Sequence, residues 1–262
     1  MEETLAEIEF LALSPNRVTV LESLAAGART RSELAEETGA SQATLGRILG
    51  DFEDRDWVAR TEGAYAATAT GRLVAEGFRE LLDVMAAERE LRDVVAYLPT
   101  GAMDFDLRHL ADARIVTPTE TRPNAPLQRL LELMRRADSV RAFSHALNDQ
   151  SLSVVADRLG EQEFEAVLTR GAVDSLTADD ALRERLRRVV TAPAAEIRVA
   201  DDDIPVAVTV ADDVVNLLVR DDRGVVQAAV DTSDPAVREW AERHHEQYRA
   251  NSAPLTADDI DA

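Results

Sequence analysis

The sequence contains no lysine and no cysteine, and aromatic residues make up only 4% of its 262 residues. Without cysteine, disulfide bonds, thiolate metal sites and thiol redox switches are excluded. Without lysine, the chain lacks the P-loop lysine, a Schiff-base lysine, the kinase lysine and the His-x-Lys pair of a phospholipase D active site. No apolar run approaches the roughly 20 residues of a membrane-spanning helix, so no membrane association is expected.

Other catalytic patterns are missing as well. The sequence has neither a Gly-x-Ser-x-Gly elbow nor a His-Glu-x-x-His zinc helix. His244 and His245 are neighbours on one expected helix, so their side chains point in different directions and cannot share a metal ion. We expect both to be solvated surface residues. The sequence therefore predicts no enzyme, no metal and no cofactor.

Acidic residues dominate the charge. Asp and Glu number 50 against 29 basic residues, all arginine, which gives a formal net charge of -21 at a hydrophobic content of 45%. That apolar content argues for a folded chain, and acidic, lysine-free folded chains are typical of halophilic microbes. The amino terminus, MEETLAEIEF, lacks the basic region of a signal peptide, so a cytoplasmic location is expected.

Residues 14–71 carry the signals of a complete DNA-binding unit. A first helix is followed by a second one with the capping-box pair Thr30 and Glu33, a turn at Gly39, a third helix capped by Ser41, and a β-hairpin. This order predicts a winged helix-turn-helix, whose third helix enters the major groove of double-stranded DNA.

The third helix, Ser41 to Arg55, is expected to be two-sided. Its apolar face comprises Leu45, Ile48, Leu49 and Phe52. On the other side, Arg47 and Gln42 have the chemistry to read guanine and adenine, respectively, the alternative being that both are solvated surface. The residues expected to contact DNA are Arg31, Ser41, Gln42, Ala43, Thr44, Arg47 and Arg60.

The predicted hairpin, residues 57–60 and 65–68, is weakly charged. Arg60 is its only cation, and Glu62 lies in its turn. A wing that runs along DNA phosphates usually carries more positive charge. Two interpretations remain open, a wing that contacts DNA and a hairpin that only covers the core.

Residues 72–98 predict one long helix with an apolar stripe. Such a helix can link two domains, form the seam of a homodimer or simply pack into a core. The proline, threonine and glycine at positions 99–101 are expected to stop it.

From about residue 106 onward, strand and helix signals alternate. The expected strands are 113–117, 140–145, 164–168, 197–200, 206–210, 214–219 and 225–230, with helices at 126–137, 150–159, 178–190 and 235–250. Such alternation predicts an α/β fold with a mixed sheet, the last three strands being antiparallel. The expected domains are 1–71 (winged helix), 72–98 (linker or dimerisation helix), 99–253 (α/β effector domain) and 254–262 (acidic tail).

Four polar residues are candidates for an effector site. Arg141, His145, Asn148 and Arg170 lie on or after two expected neighbouring strands, whose carboxyl ends form the ligand crevice of α/β sheets. Two arginines and a histidine suit a small anionic effector. The alternative is ordinary strand-end polarity with ion pairs to the acidic surface.

Several short marks punctuate the last third of the chain. They are Ile204-Pro205, Asp212-Asp213, Asp231, Asp234-Pro235, Glu239-Trp240-Ala241 and Tyr248-Arg249. In these marks the segment resembles the end of the effector domain of archaeal, haloarchaeal-type winged-helix regulators, a domain first named in a methanogenesis regulator. The layout is distantly similar to TrmB-type regulators, with a second domain resembling a phospholipase-D-like half. The resemblance implies transcription regulation and effector sensing.

Two functions of different class therefore remain. The first is a DNA-binding transcription regulator, expected to be a homodimer, whose second domain senses a small ligand or mediates oligomerisation. The second keeps the winged helix as a protein-interaction or structural module that does not act on DNA. The acidic composition favours the second, whereas Gln42 and Arg47 favour the first.

Overall fold

The computed structural model describes residues Met1–Asp261. By their internal contacts these residues form two compact units, unit 1 (Met1–Met85) and unit 2, which begins at Ala86. Unit 1 is mainly helical, and unit 2 is built on a large mixed sheet. Each unit has its own buried core or cores.

Unit 1 contains four helices, a small sheet and most of a fifth helix. Its elements are α1 (Glu2–Ala12), α2 (Pro15–Ala26), β1 (Arg29–Thr30), α3 (Arg31–Thr38), α4 (Gln42–Glu53), β2 (Val58–Thr61), β3 (Ala64–Ala67) and α5 (Ala69–Leu91). The strands form an antiparallel sheet in the order β1-β3-β2. The predicted order of helix, helix, turn, helix and hairpin is therefore present.

Local chemistry explains these boundaries. The Thr30 side chain accepts a hydrogen bond from the Glu33 amide while the Glu33 carboxylate accepts one from the Thr30 amide, so the predicted capping box begins α3. Gly39 ends α3 with φ 66°, a conformation that glycine adopts without strain. Ser41 caps α4 by accepting from the Thr44 amide at 3.1 Å. Ser14 is the N-cap of α2, but its side chain makes no capping hydrogen bond.

Helix α1 was not predicted, and it completes the core of unit 1. The Phe10 ring packs edge-on against Phe52 and Trp57, with 6.1 Å between centroids in each pair. The guanidinium groups of Arg17 and Arg55 lie 3.9 and 3.8 Å from the centroid of the Phe10 ring. The face of the ring attracts these stacked cations electrostatically. Burial and cation–π contacts therefore both hold α1 against the elements around it.

Unit 2 contains eight strands and six α-helices among its described residues. After α5 and three short 3₁₀ turns, its elements are β4 (Arg114–Val116), α6 (Ala125–Arg136), β5 (Ser139–Ser144), α7 (Asp149–Asp157), β6 (Glu163–Thr169), α8 (Arg170–Thr177), α9 (Asp180–Val190), β7 (Ala195–Ala200), β8 (Ala207–Ala211), β9 (Val214–Arg220), β10 (Val226–Thr232), α10 (Pro235–Ala250), β11 (Ser252–Pro254) and α11 (Ala257–Asp261).

The eight strands form one sheet in the order β11-β7-β6-β5-β8-β9-β10-β4. The pairs β5–β6 and β6–β7 are parallel, whereas the other neighbours, including β8–β9 and β9–β10, are antiparallel. The expectation of an α/β fold with a mixed sheet is confirmed. One side of the sheet buries its apolar side chains with α6 to α9, and the other with α10 and the segment that follows α5.

The structure differs from the sequence expectation at three places. The long helix ends at Leu91 rather than residue 98, and Val94 and Leu98 are buried in the core of unit 2. A helix, α8, follows β6 where none was expected. The expected acidic tail contains part of β11 and all of α11, and its Leu255 and Ile260 are buried, while Ala262 lies outside the described residues. In the expected tail, the short apolar anchors among aspartates carry too little periodicity to reveal β11 and α11.

Candidate functional site

Helix α4 is two-sided, as its sequence predicts. Leu45, Ile48, Leu49 and Phe52 are each no more than 1% exposed and form part of the core of unit 1. Gln42, Ala43 and Arg47 are exposed, so the face suited to base contacts is open to solvent. Thr44 is half-buried, and its hydroxyl lies 2.9 Å from the Ser41 hydroxyl. That contact gives Thr44 a local hydrogen-bond partner.

Arg31, at the start of α3, lies across the beginning of α4. Its Nη2 donates a hydrogen bond to the Gln42 carbonyl oxygen. A Cβ added at Gly46 would come within 1.9 Å of the same Nη2. Glycine at position 46 thus makes room for the Arg31 guanidinium, a role that sequence analysis missed because the two residues belong to different helices.

The arginines of unit 1 fall into two groups. Four of them form ion pairs with carboxylates: Arg17 with Asp51, Arg29 with Glu37, Arg55 with Glu7 and Arg79 with Glu22. The other four, Arg31, Arg47, Arg60 and Arg72, have no carboxylate within 4.0 Å among the described residues. Arg72 donates instead to the Ala67 carbonyl at 2.8 Å. Arg31 likewise donates to a carbonyl oxygen, that of Gln42. Arg31, Arg47 and Arg60 are the arginines of this group that are expected to contact DNA.

The hairpin of β2 and β3 turns through two residues with positive φ, Glu62 at 54° and Gly63 at 87°. Positive φ at both central positions is the geometry of a type I′ turn, which suits the twist of a two-stranded hairpin. Arg60 is exposed, and its guanidinium lies 5.4 Å from the centroid of the Tyr65 ring. Because Val58 and Tyr65 are buried, the hairpin does cover the core, and Arg60 is its only outward cation.

Three of the four residues expected to form an effector site, Arg141, His145 and Asn148, have separate partners in unit 2. Arg141 Nη2 lies 3.2 Å from Glu242 Oε1 on α10. Asn148 caps α7 by accepting from the Ser151 amide at 2.8 Å. Arg170 is exposed at the start of α8. Of these four, only His145 lines the cavity at the end of β9, so the structure does not gather them in that cavity.

The cavity at the end of β9 has a volume of about 580 Å³. Its walls come from the segment after α5, from the residues around the start of β8 and from the turn between β9 and β10. His145 Nδ1 lies 3.0 Å from the Ile204 carbonyl oxygen at its edge. Arg220, at the end of β9, also lines it and donates from Nη1 to the Gly224 carbonyl at 2.9 Å. Sequence reasoning missed Arg220 because it closes an apolar strand beside an ordinary turn.

A second cavity of unit 2, of about 470 Å³, borders a buried polar cluster. Arg129 Nε lies 2.5 Å from Asp231 Oδ2, and Asn216 Nδ2 donates to Asp231 Oδ1 at 2.6 Å. Burial opposes the charge of Arg129, but the hydrogen bond and ion pair with Asp231 prevail and raise the pKa of the guanidinium. His109 Nδ1 lies 3.1 Å from Asp234 Oδ2 at the rim. Each of these charges already has a partner, so the cluster serves the fold.

The two adjacent histidines lie in different environments. His244 is half-buried, with Nδ1 2.9 Å from the Trp240 carbonyl oxygen. His245 is 1% exposed, and neither ring nitrogen has a hydrogen-bond partner. The expectation of a solvated His245 is wrong, because this side of α10 packs onto the sheet. Burial lowers the pKa of His245; Glu246 opposes the shift, and Arg141 adds to it.

Among residues Met1–Asp261, no three His, Asp or Glu side chains are grouped so as to hold a metal ion. Within the same residues, no helix has the length and apolar character needed to cross a membrane.

Two family models match separate parts of the chain. Residues 5–90 match the HVO_A0261 N-terminal domain, and residues 123–251 match the middle domain of the methanogenesis regulatory protein FilR1. The expected resemblance of the second domain to that of a methanogenesis regulator is therefore confirmed. No curated protein matches the sequence.

Among solved structures, the chain is similar to TrmBL2, an archaeal chromatin protein, with 15% identity over 95% of this chain and 98% of that one and a TM-score of 0.41. Nuc, a phospholipase D family member from Salmonella typhimurium, shares 12% identity over 55% of this chain and 99% of its own, with a TM-score of 0.43. NucT from Helicobacter pylori shares 10% identity over 55% of this chain and 98% of its own, with a TM-score of 0.39.

Proposed function

We propose that the protein is a DNA-binding transcription regulator and that unit 1 is a winged helix-turn-helix with α4 in the major groove. The observation that carries the proposal is the outer face of α4. It presents Gln42 and Arg47 to solvent, and Arg47 has no carboxylate partner among the described residues although the chain is strongly acidic. A free guanidinium of this kind keeps its full set of donors for an external acceptor.

The chemistry of this face fits base edges. Arginine binds guanine O6 and N7 with two hydrogen bonds, and the amide of glutamine binds adenine in the same manner. Ala43 adds a methyl group of the kind that contacts thymine. Arg31 and Ser41 lie at the amino-terminal end of α4, where phosphate contacts fix the position of a recognition helix.

Regulation is supported by the match of residues 123–251 to a domain of a methanogenesis regulatory protein. By that likeness we propose that unit 2 is an effector domain that responds to a small molecule. The proposed arrangement is a DNA-binding unit followed by a sensing unit in one cytoplasmic chain.

We further propose that the protein is a homodimer that associates through α1 and α5. Helix α5 exposes five large apolar side chains, Leu73, Leu81, Leu82, Val84 and Met85, and α1 exposes Leu5 and Ile8. A groove of about 280 Å³ with a mainly apolar lining runs between these helices within unit 1. Contiguous exposed apolar surface of this kind marks an interaction site. Light scattering on the full chain is expected to give twice the chain mass, and Leu81→Glu combined with Met85→Glu is expected to give a monomer.

The alternative, a winged helix that binds protein and not DNA, draws its support from charge. Residues 1–75 contain 13 acidic and 7 basic residues, an unfavourable balance for a surface near phosphates. We propose that the protein works at high salt, where long-range repulsion is screened and base contacts carry more of the affinity. DNA affinity is then expected to fall only slowly with salt, which binding isotherms over a potassium chloride series would measure.

The deciding experiment is a mobility shift at high salt with the region upstream of the protein's own gene. The double variant Gln42→Ala, Arg47→Ala removes both base readers and is expected to bind at least about tenfold more weakly, since each bidentate contact contributes about 1–3 kcal/mol. Arg29→Ala is the matched control, because Arg29 is already paired with Glu37. Equal binding by the double variant and the wild type would show that α4 is not the recognition helix. Failure of the wild type to bind would favour the protein-interaction module.

A further inference from the structure

The cavity at the end of β9 combines apolar side chains, polar groups and one unusual cation in its lining. Tyr97, Pro99, Pro205 and Val206 provide much of the wall, and Arg220 and His145 are its basic residues. Its volume of about 580 Å³ lies within the range of small-molecule sites in proteins. Polar atoms make up slightly more than half of its lining, so a ligand here can make both polar and apolar contacts.

Arg220 has no carboxylate partner among the described residues, although it is half-buried. Its Nη1 donates to the Gly224 carbonyl, but its buried Nε has no hydrogen-bond partner. Other arginines of unit 2 with comparably covered side chains are paired, Arg129 with Asp231 and Arg198 with Glu196. A partly desolvated, unpaired guanidinium is unfavourable unless an anion binds it.

The aspartates beside the cavity do not supply that anion. The Asp221 carboxylate accepts from the amides of Arg223 and Val225 and from the Gln227 side chain, at 2.9 to 3.0 Å. It therefore holds the β9–β10 turn. Asp222 also lines the cavity but is exposed and has no ion pair with Arg220.

His145 offers a second polar contact. A carbonyl oxygen can only accept, so the hydrogen bond to Ile204 places a proton on Nδ1. In the neutral ring the Nε2 atom is then an acceptor, and no described residue forms a hydrogen bond to it. A ligand hydroxyl has the right chemistry to donate to this atom.

We propose that this cavity binds a small carboxylate with an apolar body, its carboxylate held by two hydrogen bonds from Arg220. The apolar body packs against Tyr97, Pro205 and Val206. A single planar guanidinium matches one carboxylate, whereas a phosphate would call for further cations that the lining does not have. The proposal rests on the effector role of unit 2, and it moves the effector site away from Arg141, Asn148 and Arg170.

The test is calorimetric titration of the full chain, without DNA, with benzoate, hexanoate, benzyl alcohol and inorganic phosphate. Benzoate or hexanoate is expected to bind one site per chain. Benzyl alcohol lacks the charge, and phosphate lacks the apolar body, so both are expected to bind at least tenfold more weakly. Tighter binding of phosphate than of both carboxylates, or saturable binding of neither carboxylate, would overturn the proposal.

Variants locate the site. Arg220→Gln is expected to weaken carboxylate binding at least tenfold, whereas Arg223→Gln, an exposed arginine of the same turn, should leave it within twofold. Ala96→Trp blocks the cavity without changing its charge and is expected to abolish binding, which keeps the test valid if the Arg220 variant does not fold. Unchanged binding in both Arg220→Gln and Ala96→Trp would place the ligand elsewhere. Because the double variant Gln42→Ala, Arg47→Ala should bind carboxylate normally, failure here and failure of DNA binding are distinguishable.

Discussion

In unit 1, Arg47 and Arg60 are exposed and have no ion pair within the described residues, whereas in unit 2 the side chain of Arg129 is 15% exposed and lies 2.5 Å from a carboxylate. The two settings have different consequences. A buried pair is fixed by the fold, and breaking it leaves an uncompensated charge. An exposed, unpaired guanidinium adds little to stability but keeps its donors for a ligand. Buried, paired arginines therefore stabilise the fold, whereas exposed, unpaired arginines are available to bind a ligand.

Asp231→Ala is the substitution for which we expect the largest loss of stability. The substitution leaves the buried Asn216 amide without its acceptor and Arg129 with only the exposed Glu132 carboxylate, 3.4 Å from its Nη1. We therefore expect a loss of about 3–5 kcal/mol in the free energy of unfolding. Denaturant unfolding measures it. The control is Asp104→Ala, which removes an exposed pair with Arg243 of 2.7 Å and should cost less than about 1 kcal/mol. Equal losses in the two variants would mean that burial does not separate the two kinds of pair.

How far the sequence predicts each region follows from the range of the interactions. Helix α4 and the capping box of α3 could be predicted, because Leu45, Ile48 and the Thr30–Glu33 pair act within one or two turns. Seven of the eight described strands of unit 2 could be predicted because each is a short apolar run between turns, whereas the three-residue β11 could not. Their sheet order, and the pair of Arg129 with Asp231 across 102 positions, could not be predicted, since no local pattern encodes a contact between distant strands and helices.

The same limit explains the effector residues. Arg141 was placed in a site because it lies on a strand, yet its partner Glu242 is 101 positions away on α10. The sequence does not indicate a role for Arg220, because nothing in it shows that this strand end is half-buried without a carboxylate partner. Tertiary packing decides which arginine is paired, and a single sequence does not show it.

Buried His245 is expected to make the stability of the protein depend on pH. Because burial lowers its pKa in the folded state, the unfolded chain binds more protons once the pH falls below the ordinary value of about 6.5. Stability is therefore expected to decrease as the pH falls from about 6.5 toward the lower folded-state pKa, by up to about 1.4 kcal/mol per pH unit. Thermal unfolding between pH 7.5 and 5 is the measurement. His245→Gln should have a shallower profile, and an unchanged slope would assign the effect to other groups.

Substitution of Gly50, on the outer face of α4, tests whether this glycine lowers the stability of unit 1 while it leaves the helix surface accessible to DNA. A Cβ at Gly50 would meet nothing within 4 Å, so Gly50→Ala should stabilise the protein by about 0.5–1 kcal/mol through helix propensity. At Gly71 a Cβ would come within 1.9 Å of the Trp57 carbonyl oxygen, and Gly71→Ala should destabilise instead. Chemical denaturation compares the two. If DNA approaches this part of α4 closely, the more stable Gly50→Ala variant also binds DNA less tightly.

The smallest expected change in stability is that of Arg47→Ala. Arg47 is exposed and unpaired, so its removal should alter the free energy of unfolding by no more than about 0.5 kcal/mol, the usual range for such surface positions. DNA affinity should nevertheless fall by about tenfold, because the same guanidinium is proposed to read guanine. Unfolding curves and mobility shifts on one preparation give both values. A fall in stability as large as that of Asp231→Ala would mean that Arg47 is held by the fold, and the contrast between the two units would disappear.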